Sequence, residues 1–126
     1  MPKFAHDDMM DAALNLVKNN ANKLVICSSY PTTYTEANAT YMLANQAMTS
    51  GDYALANGDT SGRKLTVAAK SGIVIANSGT ATHVAVIDTV NSKIYLVTTC
   101  TSQALTANGT NTVGTPAWKD EIADAA

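Results

Sequence analysis

The sequence is short of charge. Asp, Glu, Lys and Arg make up 14% of its 126 residues, and the formal net charge is −2. Residues 94–118 carry no charged side chain, and residues 24–51 carry only Glu36. We therefore expect neither a nucleic acid nor a membrane as partner, because both require basic clusters. So little surface charge protects a small domain poorly against association, which favours a surface that meets other proteins. A neutral, Thr-rich β-protein surface is the alternative interpretation.

Cysteine, histidine and long apolar runs are scarce as well. Zinc needs about four suitably spaced ligands, which Cys27, Cys100, His6 and His83 do not supply, so we expect no metal and no cofactor. The sequence contains no run of about 20 apolar residues, so we expect no membrane span. No signal peptide is recognisable, so we expect synthesis in a reducing cytoplasm. The two cysteines are then most simply buried thiols, with a disulfide between them as the alternative.

A chain of this length predicts one domain. We divide it into an N-terminal arm and helix (1–22), a mixed connector (23–50) and a β-domain (51–126). Asp7 is the expected N-cap of the helix, where carboxylates favour the positive end of the helix dipole. Helical spacing predicts one apolar stripe, which should pack on the sheet or on a neighbouring subunit. The stripe consists of Met9, Ala12, Ala13, Leu16 and Val17.

The connector combines a strand with a short helix. Residues 23–29 form an apolar run and predict a buried strand. Thr33 and Glu36 have the spacing of a capping box, which predicts a short helix over residues 34–40. Residues 41–48 are ambiguous, since they continue a helical apolar face but also fit an irregular extended segment.

Residues 82–100 are the best candidate for the heart of a sheet. Two runs rich in β-branched residues flank a polar break at residues 91–93, which predicts a β-hairpin. Alternation places Val84 and Val86 on one face, and in the second run it groups Ile94, Leu96 and Thr98. Neither face is polar, so both should be covered.

Further candidate strands follow residue 50, separated by three turns that contain Asn. The candidates are residues 52–56, 63–69, 72–76, 81–89, 93–100, 103–106 and 117–123. The turns at Asn57-Gly58 and Asn108-Gly109 tolerate the positive φ of tight hairpin turns. This spacing predicts a mainly β fold, a sandwich or barrel-like antiparallel sheet with one N-terminal amphipathic helix.

Catalytic patterns in the sequence are weak. His83 with Asp88 and either Ser28 or Ser102 is a conceivable triad. However, His83 and Asp88 lie five positions apart on one predicted strand and so point to opposite faces. No nucleophile elbow and no phosphate-binding loop is present. We therefore expect no catalytic residues and no enzyme, with a small hydrolase using His83 as a distant alternative.

Four segments resemble small virion structural proteins of tailed bacteriophages, and most closely capsid decoration (cement) proteins. The resemblance covers most of residues 52–124. It is carried by residues 58–67 (Gly-Asp-Thr-Ser-Gly-Arg-Lys-Leu-Thr-Val), 79–88 (Gly-Thr-Ala-Thr-His-Val-Ala-Val-Ile-Asp), 95–100 (Tyr-Leu-Val-Thr-Thr-Cys) and 116–124, which includes Pro-Ala-Trp and Glu-Ile-Ala-Asp.

The resemblance implies a virion component on the outer capsid surface, assembled in the host cytoplasm. Its expected partner is the major capsid protein, and its expected state is a homotrimer matched to the symmetry of the lattice. A head–tail joining or tail structural protein is the alternative. We expect the aromatic side chains of the arm and the C-terminal segment, with the acidic end, to form the interface: Pro2, Phe4, Trp118, Asp120 and Glu121.

Overall fold

The computed structural model describes residues 7–59 and 62–122. One long helix and nine strands form most of the regular structure in these residues. Helix α1 spans Asp7–Asn20. The strands are β1 (Lys23–Cys27), β2 (Met42–Ala47), β3 (Tyr53–Asn57), β4 (Arg63–Val67), β5 (Lys70–Val74), β6 (Gly79–Asp88), β7 (Lys93–Leu105), β8 (Thr112–Thr115) and β9 (Trp118–Ile122). The predicted class, a mainly β fold with one N-terminal helix, is confirmed.

The strands form three antiparallel sheets. The main sheet has the order β2-β1-β6-β7, the second sheet β3-β4-β9 and the third sheet β5-β8. Strands β1 and β2, from the predicted connector, therefore belong to the main sheet. Residues 41–48 are ambiguous in sequence, and the structure resolves them as extended chain in β2.

Both faces of the main sheet are covered, as predicted. Val84 and Val86 face a core shared with α1 and with strands of the second and third sheets. Ala85 and Ile87 face a smaller core, which is closed by the segment around Ala37. Continuous apolar runs such as β1 and the second half of β6 are typical of strands that are buried on both faces.

A β-bulge corrects the predicted faces of the second hairpin strand. Val86 pairs with Leu96, whereas its neighbour Ile87 pairs with Ile94, so Tyr95 is an extra residue in β7. Leu96 consequently packs on the larger core and Ile94 on the smaller one. The prediction that Ile94 and Leu96 share a face was wrong because strict alternation does not survive a bulge.

Of the apolar stripe predicted for α1, only Val17 packs inside the fold, so packing of the whole stripe on the sheet was wrong, whereas packing on a neighbouring subunit stays a prediction. The buried positions are Met10, Leu14 and Val17, spaced at i, i+4 and i+7. Met9 is 65% exposed and Leu16 51% exposed. Of the predicted stripe, only Val17 is buried, and the exposed members are Met9, Ala12, Ala13 and Leu16.

Polar contacts explain this rotation of the helix. Arg63 Nε donates to Asp11 Oδ1 at 2.7 Å, which links α1 to β4. Lys18 Nζ donates to the carbonyl oxygens of Tyr53 at 2.8 Å and Ser50 at 2.9 Å. Because α1 is apolar on more than one side, these three hydrogen bonds select the side that faces the core.

The connector contains the predicted capping box. The Glu36 amide donates to Thr33 Oγ1, and the Thr33 amide donates to Glu36 Oε1, both at 3.2 Å. A π-helical turn follows at Glu36–Thr40. This turn carries Ala37 onto the smaller core, where Ala37 is fully buried.

Candidate functional site

The structure describes only part of the predicted interface. Pro2 and Phe4 lie outside the described residues, and Glu121 belongs to β9 without a described side chain. Trp118 and Asp120 are half-buried on β9, where they pair with Val67 and Leu65 of β4. Their i, i+2 spacing places them on one face of the strand, and Trp118 packs against the larger core.

Trp118 also lines a pocket of about 390 Å³, which we name the Trp118 pocket. Its walls come from residues 98–101 and Gln103 of β7, residues 113–115 of β8, Pro116 and Trp118, and its floor from Ile26, Ala81 and Val84 of the main sheet. The lining is mostly apolar and includes no charged side chain.

An irregularity in β7 shapes one wall of the pocket. His83 pairs with Thr99 and Ala81 pairs with Gln103, so three residues of β7 stand opposite one residue of β6. Extra residues on one strand bend it and increase its twist. On the other wall, a Cβ on Gly114 would lie 3.0 Å from the Lys70 carbonyl oxygen, so glycine lets β8 approach β5 closely.

Two polar atoms of the pocket's residues are buried without a hydrogen-bond partner among the described residues. They are Thr115 Oγ1 and Trp118 Nε1. Thr115 is only 6% exposed. A hydroxyl both donates and accepts, whereas an indole N–H only donates. Buried polar groups in folded proteins are normally hydrogen-bonded, so these two atoms are candidates for a partner that the described residues do not supply.

The outer edge of β7 borders the same pocket. Strand β7 lies at the edge of the main sheet and pairs only with β6 among the described strands. Thr99 and residues 101–104 are exposed. A long, exposed edge strand presents unpaired N–H and C=O groups, to which another chain can add as a further strand.

Charged side chains flank this pocket without lining it, and they form ion pairs. Asp59 accepts from Lys64 at 2.8 Å and also pairs with Lys119. Asp52 pairs with Lys70 at 2.7 Å, and this hydrogen bond holds the pKa of the Asp52 carboxyl below its usual value. Both carboxylates therefore bind lysines.

The conceivable triad does not assemble. Thr82 Oγ1 lies 2.8 Å from His83 Nδ1, and the imidazole meets the Tyr30 ring edge to face. Asp88 lies at the far end of β6, about 16 Å along the strand. Its carboxylate accepts from the amides of Val90 and Asn91, so it organises the hairpin turn rather than orienting His83.

The described residues contain no cluster of three or more His, Cys, Asp or Glu side chains placed to hold a metal ion. Among them, no helix is long and apolar enough to cross a membrane. No protein-family profile matches the chain, and neither a curated protein nor a solved structure matches it.

Proposed function

We propose that the protein is a virion structural protein, a capsid decoration protein that binds the lattice of the major capsid protein and stabilises the head. The observation that carries this proposal is the long uncharged edge of β7 beside the neutral Trp118 pocket. Such a surface binds by shape and main-chain hydrogen bonds rather than by charge. The segments that resemble virion proteins include residues 95–100 of β7 and Trp118 itself.

The ion pairs of the chain support the same proposal. Arg63, Lys64, Lys70 and Lys119 each bind a carboxylate of this chain. These cations stabilise the fold and are engaged within it. A partner that approaches through residues 94–118 therefore meets an uncharged surface, which suits another protein better than a polyanion.

The exposed face of α1 supports self-association. Met9, Ala12, Ala13 and Leu16 form an apolar stripe that no described residue covers fully. Burying such a stripe between copies would remove apolar surface from water. We propose a homotrimer, because a cyclic oligomer matches the symmetric sites of a capsid lattice and gains avidity from binding several of them at once.

Binding to bare capsids tests the proposal. Purified protein should co-sediment with capsids that lack it, and binding should saturate at a copy number comparable with that of the major capsid protein. A head–tail joining or tail protein would instead occupy a single vertex or the tail. Failure to bind capsids at micromolar concentration would contradict the proposal.

A further inference from the structure

We propose that the Trp118 pocket and the free edge of β7 form one binding site for an extended, uncharged segment of a partner protein. The segment adds to β7 as a further strand and places one large apolar side chain in the pocket. This deepens the proposed function. It rests on that function only for identifying the partner as the major capsid protein, and not for the chemistry of the segment.

The buried polar atoms indicate a peptide ligand. Thr115 Oγ1 is buried and unpartnered among the described residues, as is Trp118 Nε1. Trp118 Nε1 requires an acceptor, and Thr115 Oγ1 takes either a donor or an acceptor. An extended main chain carries both kinds of group, carbonyl oxygens and N–H groups, and so has the chemistry that these two atoms lack.

The size and lining of the pocket define the side chain. A volume of about 390 Å³ lies within the range of roughly 300–1,000 Å³ that is typical of ligand pockets. A charged group would be buried there without a counter-charge, because no lining side chain is charged. The pocket therefore accepts a large apolar side chain, such as phenylalanine or leucine.

The open edge of β7 explains why the ligand is extended. Residues 101–104 are exposed, and β7 has no neighbour on its outer side among the described strands. Main-chain hydrogen bonds along an edge strand give affinity for an added strand. A pocket beside the edge strand binds one side chain of the added strand and so gives specificity. The edge and the pocket lie together, so a single strand can use both.

A second copy of this chain fits the site less well. Pairing of β7 with β7 of another copy would bring Thr99, Thr101, Ser102 and Gln103 to the pocket, and these side chains are small or polar. They would not fill an apolar cavity of about 390 Å³. Such a two-fold contact also closes on a dimer. β7 of a second copy is therefore a poor occupant, which favours a segment of a different protein.

The test uses a variant that fills the pocket and a matched variant that does not. Thr98→Phe adds a ring at a residue that lines the pocket, whereas Thr106→Phe makes the same change at an exposed residue that does not line it. We expect Thr98→Phe to weaken capsid binding at least about tenfold and Thr106→Phe to leave it unchanged. Thr115→Val replaces the hydroxyl by a methyl group of similar size, so it tests the hydrogen bond even if Thr98→Phe does not fold.

Two readouts locate the bound segment. Trp118 is the only tryptophan, so its fluorescence reports on the pocket directly, and binding should change its emission in a saturable way. Hydrogen exchange should slow on binding at those amides of residues 99–104 that point away from β6, because strand addition gives them hydrogen-bond partners. A change in emission without slower exchange along β7 would overturn the strand-addition part of the proposal.

The outcomes separate this inference from the proposed function. If the wild type binds capsids and both Thr98→Phe and Thr115→Val bind equally well, the inference is wrong and the proposed function stands. If Thr98→Phe instead dissociates an oligomer of the free protein, the occupant is a second copy and the inference is also wrong.

If the wild type does not bind capsids, the proposed function fails, and a blocked heptapeptide of alternating Thr and Val with a central Phe tests the pocket alone. Saturable, Phe-dependent quenching of Trp118 supports the inference. An equal response to the same peptide with a central Ala, or no response to either peptide, overturns it.

Discussion

Cys27 and His83 are direct neighbours across β1 and β6, and the thiol of Cys27 is completely buried. A cysteine beside a histidine is an activated nucleophile when the thiolate is stabilised. Here the surroundings are apolar, and burial raises the pKa of the Cys27 thiol to about 11. The sulfur lies 3.8 Å from the Ala37 carbonyl oxygen. Cys27 is therefore a buried thiol of the smaller core and not half of an activated dyad.

We predict that the two thiols react at different rates. Both cysteines are free, and Cys100 is only half-buried in the Trp118 pocket, although burial raises its pKa as well. The pKa of Cys27 is two units higher than that of an ordinary thiol. At pH 8 the fraction of Cys27 that is thiolate is therefore about 100-fold smaller than for an ordinary thiol. Iodoacetamide at pH 8, followed by mass spectrometry, should modify Cys100 at least about tenfold faster. Similar rates in denaturant provide the control, and similar rates in the native protein would contradict the placement of Cys27.

We predict that the protein loses stability in acid. Hydrogen bonds lower the pKa of two carboxyl groups. The main cause for Asp88 is the side-chain amide of Asn91, and the main cause for Glu36 is the Thr32 hydroxyl. A carboxyl whose pKa is lower in the folded state stabilises the fold above its unfolded pKa of about 4 and loses that contribution as the pH falls. Thermal unfolding should thus be nearly constant from about pH 5 to pH 7 and should shift to lower temperature below about pH 4.

The variant Asp88→Asn isolates one part of this effect. The asparagine side chain is uncharged at every pH, so the variant lacks the stabilising carboxylate that the wild type has at pH 7. The variant should therefore unfold at a lower temperature than the wild type at pH 7. The difference should become smaller in acid, where Asp88 is protonated. The carboxylate accepts hydrogen bonds from two backbone amides and from the side chains of Asn91 and Tyr95. A difference between the two proteins that does not change with pH would show that Asp88 stabilises the turn without its charge.

The core placement of β6 predicts a large effect of one substitution. Val86 is fully buried between β1 and β7. Val86→Asp should cost more than about 3 kcal/mol, because it introduces an unpaired charge into apolar surroundings. Val74→Asp makes the same change on β5, where the side chain is 51% exposed, and should cost less than about 1 kcal/mol. Urea unfolding measures both, and equal costs would contradict the assignment of the core.

The backbone at Gly109 has a left-handed conformation that residues other than glycine rarely adopt. Its φ is +84°, and a Cβ placed there would meet nothing within 4 Å. Gly109→Ala should therefore cost about 1 kcal/mol through backbone strain alone. Gly51→Ala, where φ is not positive and a Cβ makes an ordinary contact at 3.7 Å, should change the free energy of unfolding by less than about 0.5 kcal/mol. Equal effects of the two substitutions would show that strain at Gly109 is not the reason for the glycine.

Local patterns in the sequence predicted local structure well. The hairpin of β6 and β7, the strand β1 and the Thr33–Glu36 capping box all depend on neighbours in the sequence, and the structure contains each of them. The positive φ at Gly109 follows in the same way from an Asn-Gly turn. At Asn57-Gly58 the prediction fails in detail, because the left-handed glycine of that loop is Gly62.

Features that depend on distant contacts were not predictable from periodicity. The rotation of α1 depends on Arg63, which lies 52 residues from its partner Asp11. Strand β8 went unpredicted, since its four residues gain their structure from β5 and carry no alternating pattern. Trp118 was a predicted interface residue, but its pocket depends on the irregular β7 and on Thr115, which no sequence pattern distinguished.

The exposed stripe of α1 makes the last prediction, which concerns self-association. If copies of the chain pack through this stripe, Leu16→Glu should weaken their association at least about tenfold, because it places a charge in an apolar contact. Leu16 is 51% exposed, so the fold of each copy should survive the change. Val74→Glu adds the same charge at an apolar residue of equal exposure, 51%, on β5 rather than on α1, and should have little effect. Sedimentation velocity of the three proteins measures the result. A monomeric wild type at micromolar concentration would exclude the homotrimer in free solution, and equal association of the wild type and Leu16→Glu would exclude the stripe as its contact.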